Sequence, residues 1–159
     1  MTTQQQAPPK PLPVPNELTR PYWEAAKQGK LLAQRCKTCD ELFFYPREFC
    51  PRCLSRDLTW EQLSGKGRVY TYTVIRQAAH PAFNADLPYI YAVVQMIEGP
   101  RMYTNVVCPI EDVYVDMPVE VFFDRASDEI SLVKWKPAAN WKEARAEASP
   151  MASVVPKSS

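Results

Sequence analysis

The sequence predicts a mainly β chain built from a short helix, a small metal-binding ribbon and a five-stranded barrel. Two Cys-x-x-Cys pairs, Cys36/Cys39 and Cys50/Cys53, are separated by ten residues. After Gly65 the texture changes to five segments rich in Val, Ile, Thr, Tyr and Phe, most of them parted by turn or breaker residues. Both ends lack the large apolar groups that offset the entropy of ordering a chain. Of 159 residues, this leaves roughly 115 for folded structure, enough for one modest core.

The first sixteen residues carry five prolines, Pro8, Pro9, Pro11, Pro13 and Pro15. Proline fixes φ and lacks an N–H, so 1–16 reads as an extended, solvated arm. Residues 17–30, ELTRPYWEAAKQGK, read as a short helix: Pro21 suits its first turn and Gly29 its end. Two or three turns do not stand alone in water, so Tyr22 or Trp23 must pack on something. Residues 31–60 form the cysteine region, with small strands expected at Leu31–Leu32 and Leu42–Tyr45.

GRVYTYTVIR, YIYAVVQMIEG, RMYTNVVC, VEVFFD and ISLVKW then supply the strands of the barrel, residues 61–137. The OB-fold is the five-stranded member of the small closed barrels, and an SH3-like barrel competes with it on pattern. Alternation would put Arg68, Tyr70, Tyr72 and Arg76 on one face of the first strand. Single-strand nucleic acid binders use such platforms, but so do ordinary half-buried strands and protein interfaces. Residues 138–159 are expected to be a flexible tail.

The net charge of +1 and the lack of a long single-sign run argue against a general grip on nucleic acid. No apolar stretch approaches the ~20 residues that span a membrane, and the first residues lack the apolar core of a signal peptide. The cytoplasm is the expected compartment. In a reducing compartment, paired cysteines favour metal over disulfides.

The strongest chemical signal is the cysteine quartet. Two intervening residues let a tight turn bring both thiolates of a pair to one ion, and two such turns complete a tetrahedron. One structural zinc held by Cys36, Cys39, Cys50 and Cys53 is expected, with iron as the alternative metal for four sulfurs. A closed site of this kind leaves no position for water or substrate. Arg35, Lys37, Arg47 and Arg52 are neighbours in sequence that would offset the thiolate charge. Phe43, Phe44, Tyr45 and Phe49 are candidate exposed anchors for a partner. Cys108, alone before Pro109, reads as a small core residue. His80 is the one histidine, in the loop RQAAHPAFNADLPY, where a surface or packing role competes with that of a base. No Gly-rich phosphate cradle, HExxH or GxSxG pattern is present.

The order of these features resembles the DUF35-type family of acyl-CoA-associated proteins, in which a rubredoxin-like zinc ribbon precedes an OB-fold. The resemblance rests on PYWEAAKQGKLLAQRCKTCDELFFYPREFCPRC, LSGKGRVYTYTVI, HPAFNADLPYIYAVVQMIEGPRMYTNVV and DMPVEVFFD. It implies an accessory subunit beside a thiolase-like enzyme, or beside a hydratase or retro-aldolase. The barrel would help bind or channel acyl-CoA, the ribbon would help dock the partner, and the catalytic groups would belong to that partner. The loop from Arg76 to Tyr89 would line the acyl-CoA passage, giving His80, Pro81 and Phe83 a contact role. Arg76, Arg101 and Lys134 are candidates to meet the anionic phosphates. A nucleic acid-binding module is the alternative function.

Overall fold

In the computed structural model, residues 8–147 are described. The helix α1, Arg20–Lys27, starts after a turn in which Asn16 Oδ1 accepts the Thr19 N–H at 2.9 Å. It stops where Gly29 takes φ of 72°, a left-handed conformation that costs glycine little. Tyr22, Ala25 and Ala26 are buried, and the helix packs against strands of both modules that follow.

The ribbon is a three-stranded antiparallel sheet of β1 (Leu32–Cys36), β2 (Leu42–Phe43) and β3 (Leu58–Gln62), in the order β2-β1-β3. Its β3 runs to Gln62, directly before the barrel. The joint is fixed where the Leu63 N–H donates to the Leu31 carbonyl at 2.8 Å. The barrel comprises β4 (Lys66–Ile75), β5 (Tyr89–Met96), β6 (Arg101–Val106), β7 (Pro118–Arg125) and β8 (Ser131–Pro137). It closes in the order β4-β5-β6-β8-β7. The five β-rich segments of the sequence become these five strands, and the closed barrel agrees with the OB-fold reading.

Strands β4, β5 and β6 pair over long antiparallel registers, whereas β6 meets β8 in parallel at the single pair Val106↔Trp135. There the Val107 N–H donates to the Trp135 carbonyl at 2.8 Å, and Thr104 Oγ1 donates to the Val133 carbonyl at 3.2 Å. Trp135, Met96, Met117, Val69, Val94 and Val119 are fully buried at the centre. Gly67 is required by close approach: a Cβ there would lie 2.7 Å from Val94 Cγ1 and 2.8 Å from the Gln95 carbonyl oxygen.

Three expectations change. The pairing of β4 with β5 shifts between Val69 and Thr71, so a bulge resets the alternation, and Arg76 falls beyond the end of β4. Arg68, Tyr70, Tyr72 and Arg76 therefore do not form one regular row. The tail after Pro137 contains a helix, α2 (Trp141–Glu147), because Trp141 gives it an apolar anchor on the core. Tyr114 Oη donates to the Trp141 carbonyl at 2.9 Å. Residues 148–159 of the expected tail and 1–7 of the arm lie outside the described residues. From Pro8 to Pro15 the arm has no helix or strand, and it is anchored rather than free: Lys10 Nζ lies 2.6 Å from the Asp86 carboxylate. Among the described residues, no helix is long and apolar enough to cross a membrane.

Candidate metal centre and ligand-facing surfaces

Two near-identical turns build the cysteine site. In each, the residue after the second cysteine donates its N–H to the carbonyl of the first: Asp40 to Cys36 at 2.9 Å, Leu54 to Cys50 at 3.0 Å. The first cysteine of each turn then donates its N–H forward, Cys36 to the Glu41 carbonyl and Cys50 to the Ser55 carbonyl, both at 2.9 Å. The turn needs a left-handed residue at its close, and Asp40 and Leu54 both take φ of 61°. Aspartate tolerates that region; leucine does so at a cost, and Leu54 stands in solvent. A hydrogen bond of 2.8 Å from Thr38 Oγ1 to Ser55 Oγ ties the two turns together.

All four sulfurs lie within 4.8 Å of one another, with Cys36–Cys53 at 3.5 Å and Cys39–Cys50 at 3.6 Å. Metal–sulfur bonds of about 2.3 Å in a tetrahedron imply sulfur–sulfur edges of about 3.8 Å, so the quartet fits the ion. Burial works against ionisation of Cys36, but the N–H groups of Cys39 and Thr38 and the nearby sulfurs bring its thiol down to about 6. At Cys39 the Glu41 N–H favours the thiolate, yet burial and the three neighbouring sulfurs push its thiol up to about 12. Four sulfurs this close carry charge together only with a cation between them.

Three of the four cations expected to offset that charge are engaged elsewhere. Arg35 binds Glu61 and Asp40, Lys37 lies 3.4 Å from Asp57, and Arg52 lies 3.5 Å from Glu41. The sulfurs are served by backbone instead, as where the Arg52 N–H donates to Cys50 Sγ at 3.4 Å. At Arg47 the backbone N–H is bound by Gln34 Oε1 at 2.7 Å. Of the proposed anchors, Phe43 is buried in the ribbon core and Phe44 packs on the main core, while Tyr45 and Phe49 are exposed. Alternation along the two-residue strand β2 turns Phe43 inward.

Arg76, His80, Phe83 and Tyr89, among the expected substrate contacts, share one connection. Arg76 follows β4, His80 caps a short 3₁₀ helix at Pro81–Asp86, Phe83 lies within it, and Tyr89 opens β5. His80 Nδ1 accepts the Ala82 N–H at 3.2 Å, and its ring meets Phe83 edge-on at 6.3 Å. Lys10 reaches this connection from the arm, 6.0 Å from the Phe83 ring centre. Nothing local in the sequence signals that contact between residues so far apart. Arg101 does not join the group. It pairs with Gln95, six residues along β5 from Tyr89, a separation of about 20 Å. Lys134 sits in β8, 2.5 Å from Asp124, at the rim of an apolar groove of about 380 Å³ that includes Trp23, Tyr45, Met102 and Tyr103. Cys108 is half-buried against the core, and burial pushes its thiol up to about 11.

Comparison with known proteins adds a consistent set of likenesses. The family model for the ChsH2 rubredoxin-like zinc ribbon domain matches residues 23–59, and that for the ChsH2 C-terminal OB-fold domain matches residues 60–124. A probable enoyl-CoA hydratase alpha subunit of Thermomonospora curvata is 37% identical over 135 residues. That match takes in 84% of this chain but only 42% of the relative, so the chain spans less than half of that protein. A DUF35 domain-containing scaffold protein of Methanocaldococcus jannaschii is 41% identical over 102 residues, covering 62% of this chain and 71% of its own. Among solved structures, an Ltp2-ChsH2(DUF35) aldolase superposes with a TM-score of 0.71 at 36% identity, covering 79% of this chain and 98% of the other.

Proposed function

The chain belongs to the DUF35 family, in which a rubredoxin-like zinc ribbon is joined to an OB-fold, and from that premise we propose that it is a non-catalytic, acyl-CoA-binding scaffold subunit of an enzyme complex. The enzyme partner is of the thiolase-like, hydratase or retro-aldolase kind. The observation that carries this reading is the likeness, over 98% of that chain, to the DUF35 aldolase structure. The hydratase-subunit relative supports the same direction.

In this reading the quartet holds one zinc, whose chemistry is to fix four thiolates in a closed shell. Cys36, Cys39, Cys50 and Cys53 are its ligands, and they keep the ribbon folded. Arg76, His80, Phe83 and Tyr89 form the acyl-CoA contact surface. His80 holds the connection in shape, since its Nδ1 is already used by the Ala82 N–H. Its part is positioning.

Reconstitution tests the reading. The chain is combined with the enzyme subunit that co-purifies with it from the native host, and turnover of a CoA thioester is measured for each component and for the mixture. The mixture should exceed either component. His80→Ala or Phe83→Ala should lower that turnover several-fold without removing it, as expected of positioning groups. Efficient turnover by the isolated chain that His80→Ala abolishes would overturn the scaffold reading. Metal analysis should find one zinc per chain.

A further inference from the structure

We propose that the outward face of β4, β5 and β6 is the surface on which the enzyme subunit docks, and that it receives an acidic patch of that subunit. This assignment rests on the scaffold reading above. Strand register lays out three cross-strand rows: Arg68–Gln95–Arg101, Thr71–Val93–Tyr103 and Thr73–Tyr91–Asn105. No position in these rows is a carboxylate. Tyr70, Tyr91 and Tyr103 are 49%, 43% and 57% exposed, so three neighbouring strands of one closed barrel hold large rings in solvent. Tyrosine and arginine are the residues in which interface binding energy concentrates.

These side chains are already held in place. The Arg101 guanidinium lies 3.6 Å from the Tyr70 ring centre, and its Nε donates to Gln95 Oε1 at 2.7 Å. Gln95 Nε2 in turn donates to the Gly99 carbonyl. Tyr91 and Tyr103 stack, with rings 6.3 Å apart and 14° from parallel. The Tyr103 N–H donates to Tyr45 Oη at 3.2 Å, which brings the ribbon to the edge of the face. A surface ordered before contact loses little entropy on binding.

Charge selects the partner. Among the described residues Arg101 forms no ion pair, and Arg68 donates only to the Asp116 carbonyl, at 3.3 Å. The carboxylates across the adjoining groove are occupied: Asp40 by Arg35 at 3.2 Å, Glu41 by Arg52 at 3.5 Å. Glu98 Oε1 accepts the Ser64 N–H at 2.6 Å, while its Oε2 is buried without a hydrogen-bond partner and forms no ion pair with Arg101. A planar guanidinium fork with no carboxylate of its own suits a carboxylate from outside. A second copy of this chain brings the same arginines, and a two-fold contact would oppose like charges. Single-stranded nucleic acid stacks on rings of this kind, but its backbone needs a basic stripe that a chain of net charge +1 does not offer.

The test titrates the enzyme subunit that co-purifies with the chain from the native host, purified separately, against the full chain by calorimetry at low and high salt. Arg101→Glu should weaken binding at least tenfold, Tyr103→Ala several-fold, and Arg101→Lys by an intermediate amount because charge survives without the fork. Wild-type affinity should fall as salt rises. Arg125→Glu, at an exposed position near the end of β7, should bind as the wild type does. Zinc content and circular dichroism of each variant are matched to wild type first, and a variant that fails the match is replaced by Arg101→Gln. Wild-type affinity for Arg101→Glu and Tyr103→Ala, in a complex that still forms, overturns the surface while sparing the scaffold reading. No binding by the wild-type chain overturns both. Tight binding of a twenty-nucleotide oligothymidine that Arg101→Glu abolishes, or a wild-type dimer that this substitution dissolves, also overturns it and names the other occupant.

Discussion

The ribbon and the barrel are both built mainly from antiparallel strands, yet different forces hold them. The ribbon's own cluster is Cys36, Phe43 and Cys50, with Cys39 and Leu58 packed on them, so most of that cluster consists of metal ligands, while its Ala33, Phe44 and Trp60 lean on the main core. The barrel closes on Trp135, Met96, Met117, Val69, Val94 and Val119. Burying Phe43 contributes about 1.5–3 kcal/mol, while each ordered residue costs about 1–2 kcal/mol in backbone entropy. Apolar burial therefore suffices for the barrel, and the ribbon needs an ion. Sulfur geometry thus does for about thirty residues what a packed core does for the rest.

The largest test of that contrast removes the ion. Structural zinc contributes about 10–16 kcal/mol in small metal-folded domains, so Cys50→Ser, or a strong chelator, should abolish metal binding and order in residues 32–62. Amide exchange should become fast in β1–β3 while β5 stays protected. If β5 lost protection together with the ribbon, the two modules would be one cooperative unit and the contrast would break.

A smaller effect probes the barrel alone. Gly67→Ala places a methyl group against Val94 and the Gln95 carbonyl, with the Trp135 ring 3.2 Å away. Overpacking of this kind costs about 1–3 kcal/mol. Urea unfolding monitored on the barrel should shift by that amount, with zinc content unchanged. Zinc loss in this variant would show that the barrel supports the metal site.

The smallest effect sharpens the ribbon side. Glu61 on β3 pairs with Arg35 on β1, and the hydrogen bond from Arg35, outweighing partial burial, holds its carboxyl below the usual carboxylate range. Both groups are partly exposed, so Glu61→Gln should cost less than about 1 kcal/mol of chelator resistance, and less again in high salt. A depressed carboxyl stabilises the fold fully above its unfolded value of about 4.3 and loses that contribution as pH falls toward the folded value. The gap between wild type and variant should therefore stay constant from about pH 8 to pH 5. A gap that closes above pH 5 would assign it to another group.

Much of this architecture was legible because its signals are local. The Cys-x-x-Cys spacing forces tight turns, and the runs from Gly67 to Ile75 and Tyr89 to Met96 read as strands by composition. Other features depend on events that composition does not record. The bulge after Val69 undoes the alternation that would align Tyr70 with Tyr72 and Arg76. Phe43 and Tyr45 look equivalent in the sequence, but the pleat of β2 buries one and the following turn exposes the other. Trp141 lies in a stretch otherwise poor in apolar groups, so one contact with the core decides that α2 packs. Lys10 meets Asp86 only after the barrel has closed. Within the proposed substrate group, the shared connection from Arg76 to Tyr89 is readable from sequence proximity, whereas the distance to Arg101 emerges only once β5 runs its length.

The single parallel bridge at Val106 and Trp135 makes the barrel less a sealed tube than a cuff with a clasp. Its neighbours are sewn along longer seams, three register pairs between β4 and β7 being the next shortest. Thermal breathing takes the cheapest exit, so the clasp parts before any seam does. The groove that Trp23 and Tyr45 line runs along this clasp, with Thr104 of β6 and Val133 of β8 on its walls. The cylinder therefore has a built-in direction of give, set by where its stitching is thinnest.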